Sequence, residues 1–448
     1  MVLGAVIHHG RPSTAGGEIV SLGSILMMSV HGYVGASPEL GRPDTGGQVV
    51  FVLELARRFA ELGYRVDVVT RHFEDQPEVD AVDDDLRVWR IPFGGTGFIR
   101  KEDMHDHLEE FERHLLAAIK DEGRTYDVVS SHYWDAGWAG QHVAEELGIP
   151  HVHTPHSLGE WKRQTMDGSD DELEATYRFS ERVRKEFLVF RRSDRVIATS
   201  PEQVDQLRSD YEVPEEHVTM IPPGIDERRF TPVPDSQVRQ IRRRLRFHAH
   251  DVYAVGRAAR NKGYDLLLRS MPALGELVGD ARLQLAIGAG SARDRRKVRR
   301  LEDVAESAGV AERVLWRGYI EDEDMADHYR AAGVFALPSR YEPFGMTAVE
   351  SMACGTPAVV TTHGGLHEQI GYGEHALFAD PRRPMEWAVA MSMPLRYPRL
   401  RERLSTRGAR FARREFGWRG IARRTVEVFE HHREIYQAAR AEREGGLR

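Results

Sequence analysis

The chain carries a single cysteine, Cys354, in 448 residues. No intrachain disulfide is available to it, and a reducing, cytoplasmic setting fits. Apolar runs of about 18 residues are missing, so no membrane span is expected. An excess of positive charge is missing too: 62 Lys and Arg face 70 Asp and Glu, a net of -8. That excludes bulk electrostatic binding to nucleic acid or an anionic membrane, and it leaves room for a local basic pocket around a phosphate. Residues 1–23 are Gly-rich and lack the charged start and long apolar core of a signal peptide. They are expected to form a flexible leader. No internal repeat or low-complexity tract stands out.

What is present is an alternation. Short β-branched runs at 24–32, 64–73, 86–94, 126–134, 150–156, 194–200 and 217–224 are separated by helical patterns. A second series follows at 252–259, 283–290, 313–320, 334–339, 357–362 and 376–380. Strands this apolar, spaced by helices, predict parallel sheets covered on both faces. The length and the two series predict two doubly wound α/β domains. The expected division is a leader over 1–23, a first domain over 24–225 and a second over 226–415. A long charged helix over 416–448 is expected to cross back to the first domain. In such sheets ligands bind at the carboxyl ends of strands, so two facing domains make a cleft.

Three stretches carry the chemistry. In "VGRAARNKGYDLLL", Arg257 and Lys262 leave the end of a strand and Gly263 opens a helix, an arrangement suited to a diphosphate. Alone, the pair fits two solvated loop cations better than a ligand site. In "RYEPFGMTAVESMACGTPAVV", Glu342 precedes a helix expected to begin near Phe344, and Glu350 follows nearly two turns in. At about 1.5 Å per residue the carboxylates stand up to roughly 12 Å apart, a span that matches the two hydroxyl-bearing rings of a folded sugar nucleotide. A first-turn glutamate plus a surface glutamate is the plainer alternative. In the first half, "TGGQ" (45–48) places paired glycines before a helix, and "HVHTPHSLGEWKR" sets His156 at a strand end, beyond His151 and His153. A histidine so placed faces the cleft, although each of the three also fits a buried core position.

Taken together these motifs resemble the retaining glycosyltransferases of the GT-B fold, in the family that includes sucrose synthases and sucrose-phosphate synthases. The resemblance covers nearly the whole chain from about residue 24. "RHFEDQPE", "SHYWDAG" and "TPHSLGEWKR" point to its mannosylfructose-phosphate synthase branch. The resemblance implies that Glu342 binds the donor sugar and Glu350 the ribose. It implies that Arg257 and Lys262 hold the diphosphate, and that backbone at Gly47, Phe344, Gly345, Met346 and Thr347 contacts sugar and phosphates. The base is expected beside Gly318, Tyr319 and Ile320, and His156 near the C6 hydroxyl of the donor sugar. Gly47, Gln48, Lys101, Lys162, Arg182 and Arg184 are the expected receptors of an acceptor phosphate, with Arg71 and Arg100 as further basic candidates. Trp134, Asp135 and Gly137 are expected to line the cleft.

The implied reaction moves a hexose, from GDP-mannose in first place, to fructose 6-phosphate. A sucrose-phosphate synthase using UDP-glucose or ADP-glucose is the alternative within the fold, and a non-catalytic sugar-nucleotide sensor is the alternative outside it. No cofactor and no essential metal are expected.

Overall fold

The computed structural model describes residues 23–36, 47–166, 169–288, 292–340, 342 and 344–445. The expected leader, apart from Gly23, lies outside these residues, as do Thr45 and Gly46 of the paired-glycine loop.

The chain forms two sheets. The first contains β1 (Ser24–Met28), β2 (Arg65–His72), β3 (Val79–Ala81), β4 (Leu86–Pro92), β5 (Val128–His132), β6 (His151–Thr154), β7 (Arg195–Ala198) and β8 (Val218–Met220). Their spatial order is β3-β4-β2-β1-β5-β6-β7-β8. The second contains β9 (Asp251–Arg257), β10 (Arg282–Gly288), β11 (Val314–Trp316), β12 (Val334–Leu337), β13 (Ala358–Thr361) and β14 (Leu377–Ala379), in the order β11-β10-β9-β12-β13-β14. Every pairing is parallel except β3 with β4. The thirteen parallel strands coincide with the apolar runs read from the sequence, β9 and β10 each starting one residue earlier. β3 does not: it is a short, acidic, largely exposed edge strand with none of the pattern of a buried one.

Burial on both faces explains the unbroken apolar runs. In the first sheet, Ile25 and Met27 face one hydrophobic cluster while Leu26 and Met28 face another. Val252 and Ala254 of β9 face one side of the second sheet and Tyr253 the other. Strand order reverses between β1 and β5 in the first sheet and between β9 and β12 in the second. These are the two places where neighbouring connections leave in opposite directions and open a crevice.

The helix Trp418–Gly445 returns to the first sheet. Phe429 packs on Phe59 of the helix Gly47–Glu61, and Glu430 accepts a hydrogen bond of 2.8 Å from Tyr64. The two stretches that link the sheets touch each other. The Ile225 N–H donates to the Phe416 carbonyl (2.8 Å), and the Trp418 N–H donates to the Ile225 carbonyl (3.2 Å). No described helix is long and apolar enough to cross a membrane.

Candidate active site

The chemistry gathers at the carboxyl ends of the strands, beside the two reversal points. In the second sheet, β9 ends at Arg257, which is exposed, and a 3-10 turn (Arg260–Lys262) leads to Gly263. Gly263 caps the helix Tyr264–Leu277 at φ +67, and a Cβ there would lie 2.1 Å from the Pro338 carbonyl oxygen. Only glycine lets the turn pass this close to the end of β12. That approach sets Lys262 Nζ 2.7 Å from Glu342 Oε2, and Ser339 Oγ donates to the same oxygen at 2.7 Å. The pair is largely covered, with side-chain exposures of 21% and 12%. The basic loop and the first glutamate therefore meet directly, with Lys262 held on Glu342.

The helix between Glu342 and the Gly355 turn begins at Met346, two residues later than the sequence pattern predicts, and runs to Ala353. The cause is Gly345, held at φ +93 against Leu337, with Phe344 buried against Phe416. Glu350 consequently lies little more than one turn in. The amides of Met346 and Thr347 open the helix and have no intrahelical acceptor, which leaves donors for an anion. Glu350 accepts a hydrogen bond of 2.7 Å from the buried Tyr329. Burial pushes its carboxyl up to about 7, against the opposing pull of that hydrogen bond and of Arg229. Gly318 follows β11 at φ +68, with Tyr319 70% exposed beside Ile320. Gly288, at the end of β10, faces the Tyr319 ring, where a Cβ would come within 3.3 Å.

In the first sheet His156 lies two residues beyond β6 at φ +59, an uncommon conformation for a side chain with a Cβ. Its Nε2 is 3.0 Å from His132 Nδ1, and its ring stands edge-on to Phe51. Burial first, then the charge of His31, pulls its imidazole down to about 3, so it is neutral at physiological pH. It can exchange hydrogen bonds with a hydroxyl but stores no proton. His151 and His153 are core groups, both bonded to Ser131 Oγ (2.6 and 2.8 Å). Gly137 is small because His153 lies against it: a Cβ there would be 2.5 Å from the ring.

Lys101, Lys162 and Arg182 line one cavity of about 370 Å³, together with Glu102, His105, Trp134 and Trp161. Lys101 pairs with Glu102 (2.9 Å), and Lys162 Nζ sits 3.4 Å from the Tyr133 hydroxyl. Arg182 is already committed: Glu186 takes its Nε, and Tyr133 and Ser157 take its remaining forks (2.9–3.2 Å). It braces the turn that carries His156 as much as it offers charge. Arg184 is exposed and does not line this cavity, because two positions along the helix Phe179–Arg192 turn it away from Arg182. Gln48 spends its amide on Ser29 Oγ and the His132 carbonyl, tying the first helix to the ends of β1 and β5. Arg71 clips four carbonyls of the 93–97 loop, and Arg100 bonds Thr176 and Glu102. Neither lines the cavity.

Two groups escaped the sequence reading: His105, which lines the cavity, and Lys185, which does not. His105 stacks on Trp134 at 3.9 Å, and neither ring nitrogen has a hydrogen bond among the described residues. Burial, with Lys185 and Arg178 nearby, brings it to about 3. Lys185 is buried under Trp138 and bonds the His105 carbonyl. The i,i+4 pairs Arg182–Glu186 and Glu181–Lys185 were legible as spacing, but which pair points inward was not. Among the described residues no cluster of His, Cys, Asp and Glu is arranged to hold a metal. The Asp-x-Asp at Asp322–Asp324 forms the first turn of the helix Asp322–Ala331.

Two parallel sheets with cationic and carboxylate groups at facing strand ends define a GT-B glycosyltransferase. The family models agree: "Glycosyltransferase Family 4" matches residues 45–229 and "Glycosyl transferases group 1" matches 240–411. The chain is 49% identical over 426 residues to the mannosylfructose-phosphate synthase of Agrobacterium fabrum, covering 94% of each. It is 34% identical to the D-inositol 3-phosphate glycosyltransferase of Thermobifida fusca, covering 88% of this chain and 90% of the relative. Among solved structures, sucrose-phosphate synthase from Thermosynechococcus elongatus superposes with a TM-score of 0.64 at 29% identity, over 93% and 100% of the two chains. The chain belongs to the group 1, family 4 glycosyltransferases, and it is a retaining enzyme of that family.

Proposed function

We propose that the enzyme transfers mannose from GDP-mannose to fructose 6-phosphate, with retention, to give a mannosylfructose phosphate. The observation that carries this reading is the 49% identity to mannosylfructose-phosphate synthase over 94% of both chains. The cavity beside the first sheet agrees with it. Lys101 and Lys162 offer two cations to a phosphate, and neutral His105 offers ring nitrogens to a sugar hydroxyl. The inositol relative also has a phosphate in its name, so a phosphorylated polyol is the shared theme. The domain division follows from the same reading: 24–225 holds the acceptor, 226–415 holds the donor, and 416–448 returns to the first.

In the mechanism, Arg257, Lys262 and the open amides at Met346 and Thr347 stabilise the charge that builds on the departing nucleoside diphosphate. Such fixed donors are usually the largest single term in this kind of catalysis. Glu342, freed when the diphosphate takes Lys262, receives hydroxyls of the donor sugar. Glu350 receives the ribose, and Tyr319 and the backbone beside it flank the base. His156 hydrogen-bonds the sugar as a neutral imidazole. The acceptor hydroxyl attacks from the face the diphosphate leaves, and its proton passes to the leaving phosphate oxygen. Closure of the cleft keeps water from the donor.

The same cavity favours one second reading, sucrose-phosphate synthesis from UDP-glucose or ADP-glucose, supported by the likeness to the cyanobacterial enzyme. A matrix of nucleotide sugars against sugar phosphates, with products identified by NMR, separates the two. GDP-mannose with fructose 6-phosphate is expected to give the fastest turnover. A clear preference for UDP-glucose or ADP-glucose would replace the first reading with the second. Lys262→Ala is expected to lower kcat by a factor of about 10² to 10³ while leaving the circular dichroism spectrum unchanged. Near-normal turnover in that variant sinks the diphosphate assignment.

A further inference from the structure

A second cavity, of about 730 Å³, lies away from the strand ends. It is bounded by the helices Asp235–Leu245 and Pro398–Phe416, and by the Cys354–Thr356 turn that follows the helix Met346–Ala353. The start of that last helix belongs to the transfer site, so the two sites sit at opposite ends of an element about 12 Å long.

Six arginines line this cavity: Arg239, Arg242, Arg330, Arg401, Arg410 and Arg413. Asp235 is the only carboxylate among the lining residues. In a chain with a net charge of -8 this is a local inversion of sign. The inner arginines are anchored mainly by backbone rather than by acids. Arg242 donates to the Ala331 and Ala332 carbonyls (2.8 and 3.3 Å), and Arg401 donates to the Gly333 carbonyl (2.5 Å). These carbonyls end the helix Asp322–Ala331, so part of the role of the two arginines is to cap it. A guanidinium has five N–H donors, however, and carbonyl partners leave its charge uncancelled. Among the described residues, only Arg330 of the six meets a carboxylate within ion-pair distance, that of Asp327 at 2.8 Å. Burial first and the Arg242 charge second bring Arg401 down to about 10. Arg239, Arg410 and Arg413 are exposed around the mouth, with no acidic partner among the described residues.

We propose that this cavity is a binding site for a small, multiply charged organic phosphate, distinct from the transfer site. Convergent guanidiniums match phosphate oxygens two at a time, and the volume is that of a metabolite-sized pocket. The hydroxyls of Ser405 and Thr406 are available at its wall for the uncharged part of the ligand.

The test uses the full-length protein and pyrophosphate as the probe. Lys101→Ala, Lys162→Ala and Lys262→Ala together provide a background in which both phosphate-binding parts of the transfer site are impaired, and calorimetric titration reads what remains. One pyrophosphate is expected to bind in this background. Adding Arg239→Ser, Arg410→Ser and Arg413→Ser, all exposed, is expected to weaken that binding by about tenfold or more. The triple arginine variant with all three lysines intact is expected to keep its kcat. Equal binding with and without the three arginines overturns the proposal. A crystal soaked in tungstate is expected to show an anomalous peak between Arg242 and Arg401, and an empty cavity there overturns it as well. If heparin or single-stranded DNA binds this face and pyrophosphate does not, the surface serves a polyanion and the small-ligand proposal falls.

Discussion

Glu350 combines a half-buried position, one tyrosine partner and a carboxyl brought up to about 7. Its folded value stands above that of an unfolded chain, so the folded state holds a proton that the unfolded state releases at lower pH. Its contribution to stability therefore falls as pH rises from about 4.5 to 7, by about 3 kcal/mol. A ribose diol donates hydrogen bonds, and the ionised carboxylate accepts them best. Donor KM is accordingly expected to fall several-fold as pH rises from about 6 to 8, and Glu350→Gln is expected to flatten that dependence. Initial-rate measurements across this range check it. A slope that survives in Glu350→Gln removes the ribose role. His156 adds nothing to the profile there, because it is neutral throughout.

Among the elements, the parallel strands were readable because burial on both faces leaves long β-branched runs. The helix start was misread by two residues because a positive φ at Gly345 leaves no periodic trace. The residue types of the site were legible as motifs, but their pairing was not. Nothing in the spacing says that Lys262 and Glu342, 80 positions apart, share one hydrogen bond. Arg182 looked like a free cation, since its tyrosine and serine partners come from other elements. Gly263 is where one element most depends on another. In Gly263→Ala the new methyl would meet the Pro338 carbonyl at 2.1 Å, a backbone atom that cannot swing aside. The turn would shift and draw Lys262 off Glu342. The expected outcome is a stability loss of about 2 kcal/mol in urea unfolding and a fall in kcat of about 10². A variant with normal kcat would show that the turn does not position Lys262.

For the whole molecule, the contact between the two linking stretches is the mechanical centre. Gly224 lies against the Trp418 indole, where a Cβ would come 2.3 Å from the ring, and Glu227 accepts a hydrogen bond from the Trp418 N–H at 3.0 Å. Gly224→Ala is expected to lower the urea midpoint and to reduce kcat while leaving both KM values close to normal. The groups that bind each substrate stay in place, and only the joint between them is disturbed. Steady-state kinetics with each substrate varied in turn checks this. A rise in KM with unchanged kcat would place the joint inside one binding site instead.

The neighbouring Ile225 and Trp418 have a topological consequence as well. The chain leaves the first sheet and returns to it at nearly one point, so everything between is an excursion with its two ends tied together. An excursion of that kind can be exchanged without moving its host. Grafting residues 226–416 from a relative with a different nucleotide preference should carry the donor choice across and leave the acceptor choice behind.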